Sequence, residues 1–164
     1  MNGTINPVMT QGITAEDLTD VYSITQSSGF FSDDEVMMAD EVAKEALAKG
    51  EAVSGYSFVF CAIGGKKIGY SCYGPIPCTD ERYRIYWIAV DDCMRGKGYG
   101  AMLLRETEKL IARKGGKRIY LETSTREQYQ PTRDFYRKCG YIAEAKLDNY
   151  FYDGDGMVMY VKIL

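Results

Sequence analysis

Arg95-Gly96-Lys97-Gly98-Tyr99-Gly100 sets two cations among three alternating glycines, directly ahead of an amphipathic stretch. A helix N-terminus offers unpaired N–H groups and about half a positive charge. Glycines let such backbone approach an anion closely, and Arg95 and Lys97 add formal charge. The segment suits a pyrophosphate. It does not match the GxxxxGK[ST] phosphate loop, and Gly65-Lys66 lacks both the upstream glycine and the following hydroxyl, so it reads as a hairpin tip. Gly96-x-Gly98-x-x-Ala101 fits a loosened dinucleotide fingerprint, with Glu122 as its acidic partner. Against that, the glycines come several residues after the strand, and too little chain follows for the remaining βαβ units.

The chain offers an unusual set of proton carriers. Its 164 residues include 14 tyrosines and no histidine, which removes Ser-His-Asp and Cys-His nucleophiles, HExxH zinc sites and imidazole acid–base work. Proton transfer falls to Asp, Glu, Tyr, Cys, Lys or water. Five cysteines without a CxxC pair argue against a disulfide framework or a thiolate metal site, and no metal is expected. Tyr152-Asp153-Gly154-Asp155-Gly156 lacks the rest of a calcium loop and reads as a turn. A net charge of -3 gives no general attraction to nucleic acid or anionic lipid. With no signal-peptide pattern and no apolar run of membrane-spanning length, a cytoplasmic protein without membrane contact is expected.

The elements that must hold these residues follow from periodicity. Residues 1–12 are polar and read as a flexible N-terminal stretch. Thr14-Ala15-Glu16-Asp17 starts a helix with Leu18, Val21, Tyr22 and Thr25 on one face, ending near Gly29. Ser32-Asp33-Asp34-Glu35 is a capping box for a second helix that stops at Lys49-Gly50, with Val36, Ala39, Ala43, Ala46 and Leu47 inward. Tyr56–Ile63 and Ile68–Tyr73 read as strands around Gly64-Gly65, and Tyr83–Val90 as a third. After the glycine loop comes a helix with Leu103, Leu104, Leu110 and Ile111 inward, then a strand over 118–122. Pro131 starts a short helix that Gly140 ends, and two strands, 141–147 and 157–163, close the chain. The order predicts one α/β domain over 1–164, a mixed, largely antiparallel sheet flanked by helices.

Two segments together resemble a known family. Arg95-x-x-Gly98-x-Gly100, after a strand ending Ile88-Ala89-Val90, is similar to the acetyl-CoA motif of the GNAT superfamily of N-acetyltransferases. Phe135-Tyr136-Arg137-Lys138-Cys139-Gly140-Tyr141 resembles that family's FYxKxGF segment. The resemblance runs from about Asp17 to the C-terminus. It implies acetyl transfer from acetyl-CoA to a primary amine of a small molecule or peptide by direct attack. Backbone groups of Ile88, Ala89 and Val90 would pair with pantetheine, and N–H groups of Arg95, Gly96, Lys97, Gly98, Tyr99 and Gly100 would hold the pyrophosphate. Dimers are common in that family, which leaves a homodimer open.

The resemblance also assigns Tyr136 as the acid that protonates the departing thiolate. The base is less defined. Where family members often carry Glu on the strand before the loop, this chain has Arg84, which cannot act as a base. Glu122 and Glu81 are candidate carboxylates, and water-mediated deprotonation is equally open. Arg84 either binds a substrate carboxylate or is a surface cation. Because the usual carboxylate is missing, a non-catalytic acyl-CoA-binding or sensing module is the alternative function.

Overall fold

Ser32 begins the longest helix with the predicted reciprocal cap: its hydroxyl accepts from Glu35 N at 3.3 Å, and the Glu35 carboxylate accepts from Ser32 N at 2.8 Å. The computed structural model describes residues 6–164. In it, α1 (Asp17–Ser27) and α2 (Asp33–Lys49) lie as expected, and a one-turn α3 (Glu51–Ser54) follows Gly50. The first helix starts after Glu16 without the expected side-chain cap from Thr14. Asp17 Oδ2 accepts from Thr14 N at 2.8 Å and from Thr14 Oγ1 at 3.0 Å, while Oδ1 meets Lys67 in an ion pair. Tyr22 faces outward, not inward, and Ile24 takes the buried position; Leu47 is also exposed.

Four more strands and two helices follow the early elements: β2 (Ser57–Ile63), β3 (Lys66–Pro75), β4 (Arg82–Val90), α4 (Tyr99–Arg113), β5 (Arg118–Ser124) and α5 (Gln130–Lys138). The chain ends in β6 (Ile142–Tyr152) and β7 (Asp155–Ile163). The polar start hides an element with no signal in its composition: β1 (Val8–Gln11) pairs antiparallel with β2, from Val8↔Ala62 to Gln11↔Val59. Residues 1–5 of the stretch read as flexible lie outside the described residues. The sheet has seven strands in the order β1-β2-β3-β4-β5-β7-β6. β4 and β5 run parallel; β1–β2, β2–β3, β5–β7 and β6–β7 are antiparallel, so the sheet is mixed and largely antiparallel.

The chain forms two compact units, and it passes from one to the other at the end of β3, within β4 and within α4. The first unit runs to Gly74 and adds Tyr86–Leu110. Val21, Ile24, Ala39, Ala43, Phe58, Phe60, Tyr70, Cys72 and Ala89 make its core. The Phe58 ring stacks with Phe60 at 6.1 Å and with Tyr70 at 6.0 Å between centroids, and Phe60 and Tyr70 meet tilted at 6.1 Å. Each fully buried side chain of this size adds about 1.5–3 kcal/mol. The Tyr70 hydroxyl, sealed in that core, sits 2.6 Å from Thr25 Oγ1, so its burial leaves no orphan polar group. Gly69 is required by close approach: a Cβ there would meet the Ala89 carbonyl oxygen at 3.0 Å and Val90 Cγ2 at 3.2 Å.

The second unit comprises Pro75–Ile85 and Ile111–Leu164. β4 enters it through Arg82↔Arg118, Tyr83↔Ile119 and Arg84↔Tyr120. Among the described residues the parallel register goes no further than Arg84. Along β5 burial alternates: Ile119 and Leu121 are buried, whereas Arg118, Tyr120 and Glu122 are half-buried. One sheet face here is therefore packed, and the other is partly open.

Candidate active site

In the first unit the glycine loop is held at its start. Asp91 N donates to Ile68 O at 2.8 Å, tying the end of β4 to β3. The Asp91 carboxylate accepts from Cys93 N at 3.0 Å and from Ser27 Oγ at 3.3 Å, and starts the 3₁₀ turn Asp92–Met94. Chiefly through the Cys93 hydrogen bond, its carboxyl is held below the usual aspartate range. Gly96 (φ +72°) and Gly98 (φ +86°) then take left-handed backbone that other residues adopt only under strain. A Cβ at either would meet nothing within 4 Å, so these glycines serve backbone shape on an open surface.

The loop's charge is organised by residues that motif reading overlooks. Arg95 Nε donates to Asp92 Oδ1 at 3.0 Å, and its guanidinium lies 4.6 Å from the centre of the Phe30 ring. Lys97 Nζ donates to the Cys93 carbonyl at 3.0 Å. Both cations are therefore oriented, and Asp92 offsets part of the Arg95 charge. Adjacent acidic residues at 91 and 92 were the available signal. At the start of α4, Met102 N donates to Gly98 O at 3.1 Å and no acidic side chain occupies the first turn. Nothing on that turn competes with an anion for the helix N-terminus. At the end of β4, Ala89 is buried, and Ile88 and Val90 are half-buried.

In the second unit Arg84 and Glu122, which sequence treats as separate candidates, are bonded: an Arg84 Nη2 hydrogen donates to Glu122 Oε2. Register puts both on one face, since Arg84 pairs with Tyr120, two residues before Glu122. Their side chains are 33% and 27% exposed. Tyr136, on α5, lies against the other face. Its ring packs on Tyr160 at 5.7 Å and Tyr141 at 6.1 Å, and Tyr160 pairs with Leu121. The Tyr136 phenol is pushed well above the ordinary tyrosine range, first by burial and then by Cys139 and Tyr160. It is thus a proton-bearing group at any neutral pH. Glu81, the other candidate carboxylate, is engaged by Lys117.

Arg133 positions the start of α5. Though buried, it donates to Ser124 O at 2.6 Å, Arg126 O at 2.9 Å and Gln130 Oε1 at 2.8 Å. Asp155 accepts from Ser124 Oγ and pairs with Arg126 at 3.0 Å, so its turn is pinned to the end of β5. Among the described residues no group of three or more Cys, Asp or Glu could hold a metal ion, and no helix is long and apolar enough to cross a membrane.

The acetyltransferase (GNAT) family model matches residues 18–141, a span that includes both the glycine loop and Tyr136. This chain belongs to the GNAT acetyltransferase family. Among solved structures, the GNAT protein is similar to one from Desulfovibrio desulfuricans assigned to the same family. Identity is 35% and the TM-score 0.93, over 96% of this chain and 99% of that one. It also shares the fold of the ribosomal-protein-S18-alanine N-acetyltransferase of Escherichia coli, at 17% identity and a TM-score of 0.76, over 96% and 94% of the two chains. A GNAT acetyltransferase of Elizabethkingia anophelis, solved with acetyl-CoA bound, matches at 16% identity and a TM-score of 0.71, over 97% and 99%. By sequence, no curated protein matches the GNAT chain. The expected family and fold class are thus both found.

Proposed function

We propose that this GNAT protein is a single-domain cytoplasmic enzyme that moves the acetyl group of acetyl-CoA to a primary amine of a small molecule or peptide. The observation that carries the reading is the loop at 95–100. Two left-handed glycines, two oriented cations and an acid-free helix start make an open anion cradle, as a diphosphate requires. Arg95, Gly96, Lys97, Gly98, Tyr99 and Gly100 hold the pyrophosphate, and Ile88, Ala89 and Val90 offer backbone groups to pantetheine.

The amine nitrogen attacks the thioester carbonyl, the new C–N bond forms and the C–S bond breaks. Tyr136 gives its proton to the departing sulfur. Glu122 takes the proton released by the amine, while Arg84 binds an acceptor carboxylate. A homodimer is part of the same reading, and sedimentation velocity tests it.

The engagement of Glu122 by Arg84 favours one rival, an acyl-CoA-binding module without turnover. A panel of amines assayed for CoA release separates the two. Release above background hydrolysis with at least one amine is expected; tight acetyl-CoA binding with no amine-dependent release would leave only the binding module.

A further inference from the structure

On the partly open face of the second unit, Arg82, Arg84 and Arg118 share one side of β4 and β5 with Glu122, and Arg84 is the guanidinium that bonds it. Arg82 and Arg84 on β4 sit in register with Arg118 and Tyr120 on β5, and Glu122 follows Tyr120 on the same face. All four charged side chains are between 27% and 35% exposed, within reach of a ligand but shielded enough for charge to matter. Arg82 is held by the Asp80 carbonyl and Arg118 by Glu144 at 3.9 Å, so each guanidinium already has a carbonyl or carboxylate partner.

This arrangement discriminates between classes of amine. A polyamine or other simple cation drawn to Glu122 would have to displace the Arg84 guanidinium already bonded to it and offers that guanidinium nothing in return. A simple anion would find the guanidiniums but offer no nucleophile. A molecule that carries a carboxylate close to its amine presents both charges in the order the face requires. We infer that the acceptor is an amino-carboxylate, such as a free α-amino acid, whose ammonium goes to Glu122 and whose carboxylate goes to Arg84. The inference rests on the acetyl-transfer reading above.

It also removes the difficulty of the engaged base. The acceptor's carboxylate competes for the Arg84 guanidinium and so releases Glu122 from its partner. Glu122 can then take the ammonium proton, and the neutral amine attacks the acetyl carbonyl as the C–S bond breaks and Tyr136 protonates the sulfur. An amine without a carboxylate leaves the Arg84–Glu122 pair closed and gains no base.

The test compares α-amino acids with their own amides and with the amines left after decarboxylation, using wild-type protein and acetyl-CoA. The expected result is a kcat/KM at least tenfold higher for the amino acids. In Arg84→Gln that ratio should fall towards one, with acetyl-CoA affinity unchanged, and Arg84→Lys should restore part of it. Equal or better turnover of the decarboxylated amines overturns the inference and leaves acetyl transfer standing. Absence of turnover with every amine, despite acetyl-CoA binding, overturns both. The wild-type comparison needs no variant to fold.

Discussion

Glu122 Oε2 accepts from the Arg84 guanidinium between neighbouring strands, although 38 residues separate the two in sequence. The pair is about one-third exposed, so its contribution to stability is small. A double-mutant cycle with Arg84→Ala and Glu122→Ala should return a coupling of no more than about 1 kcal/mol in chemical denaturation. In the proposed mechanism its weight lies in catalysis. Glu122→Gln keeps the shape and should lower kcat at least ~100-fold while acetyl-CoA affinity holds, as expected of a general base. An unchanged kcat would assign deprotonation to water.

Gly98 tests the cradle. Its φ of +86° with open space around it means that Gly98→Ala suffers from backbone conformation and not from a clash. A cost of about 1–2 kcal/mol is expected for holding that geometry. Titration calorimetry should show CoA affinity falling about tenfold, because the N–H groups lose their aim. Arg95→Ala should weaken binding by a similar factor and flatten its dependence on salt.

Tyr136→Phe removes one oxygen and preserves the ring packing against Tyr141 and Tyr160. Stopped-time CoA-release assays should show kcat falling between about 10² and 10⁴-fold. Acetyl-CoA binding should remain, since the phenol is no part of the anion cradle. Loss of binding together with turnover would mark Tyr136 as structural.

Alkaline pH should destabilise the fold. Burial pushes Tyr70, Tyr136 and Cys72 above their ordinary values, so the folded chain keeps protons that the unfolded chain releases. The stability these groups contribute is complete below the unfolded values and is lost as pH rises towards the folded ones. Thermal melts should therefore decline from about pH 9 upward. Tyr70→Phe and Tyr136→Phe should each flatten the decline. Tyr70→Phe should also cost about 1 kcal/mol at neutral pH through the lost bond to Thr25.

The second helix, the Gly64-Gly65 hairpin and the glycine loop were legible because each is specified by residues a few positions apart. Ser32 and Glu35 cap one helix from three residues' distance, and Gly96 and Gly98 mark left-handed backbone by type alone. The first strand was not legible. Val8–Gln11 has no apolar alternation, and its β-structure comes from ladder partners in β2, more than forty residues along the chain. Helical spacing defines a face only to within a residue or so, which is why Tyr22 turns outward and Ile24 fits the core instead.

The same division holds for the candidate site. Sequence alone determined the family-matching motifs, the absence of imidazole chemistry and the identity of Arg95, Lys97 and Tyr136 as candidates, since these depend on residue type and local spacing. Tertiary structure decided what those groups are beside. Asp92 and Phe30 orient Arg95, Arg84 bonds Glu122, and Tyr136 lies on the opposite sheet face from that pair. Such relations arise from register between strands, and register is set by long-range packing of one buried face, which no local window of sequence contains.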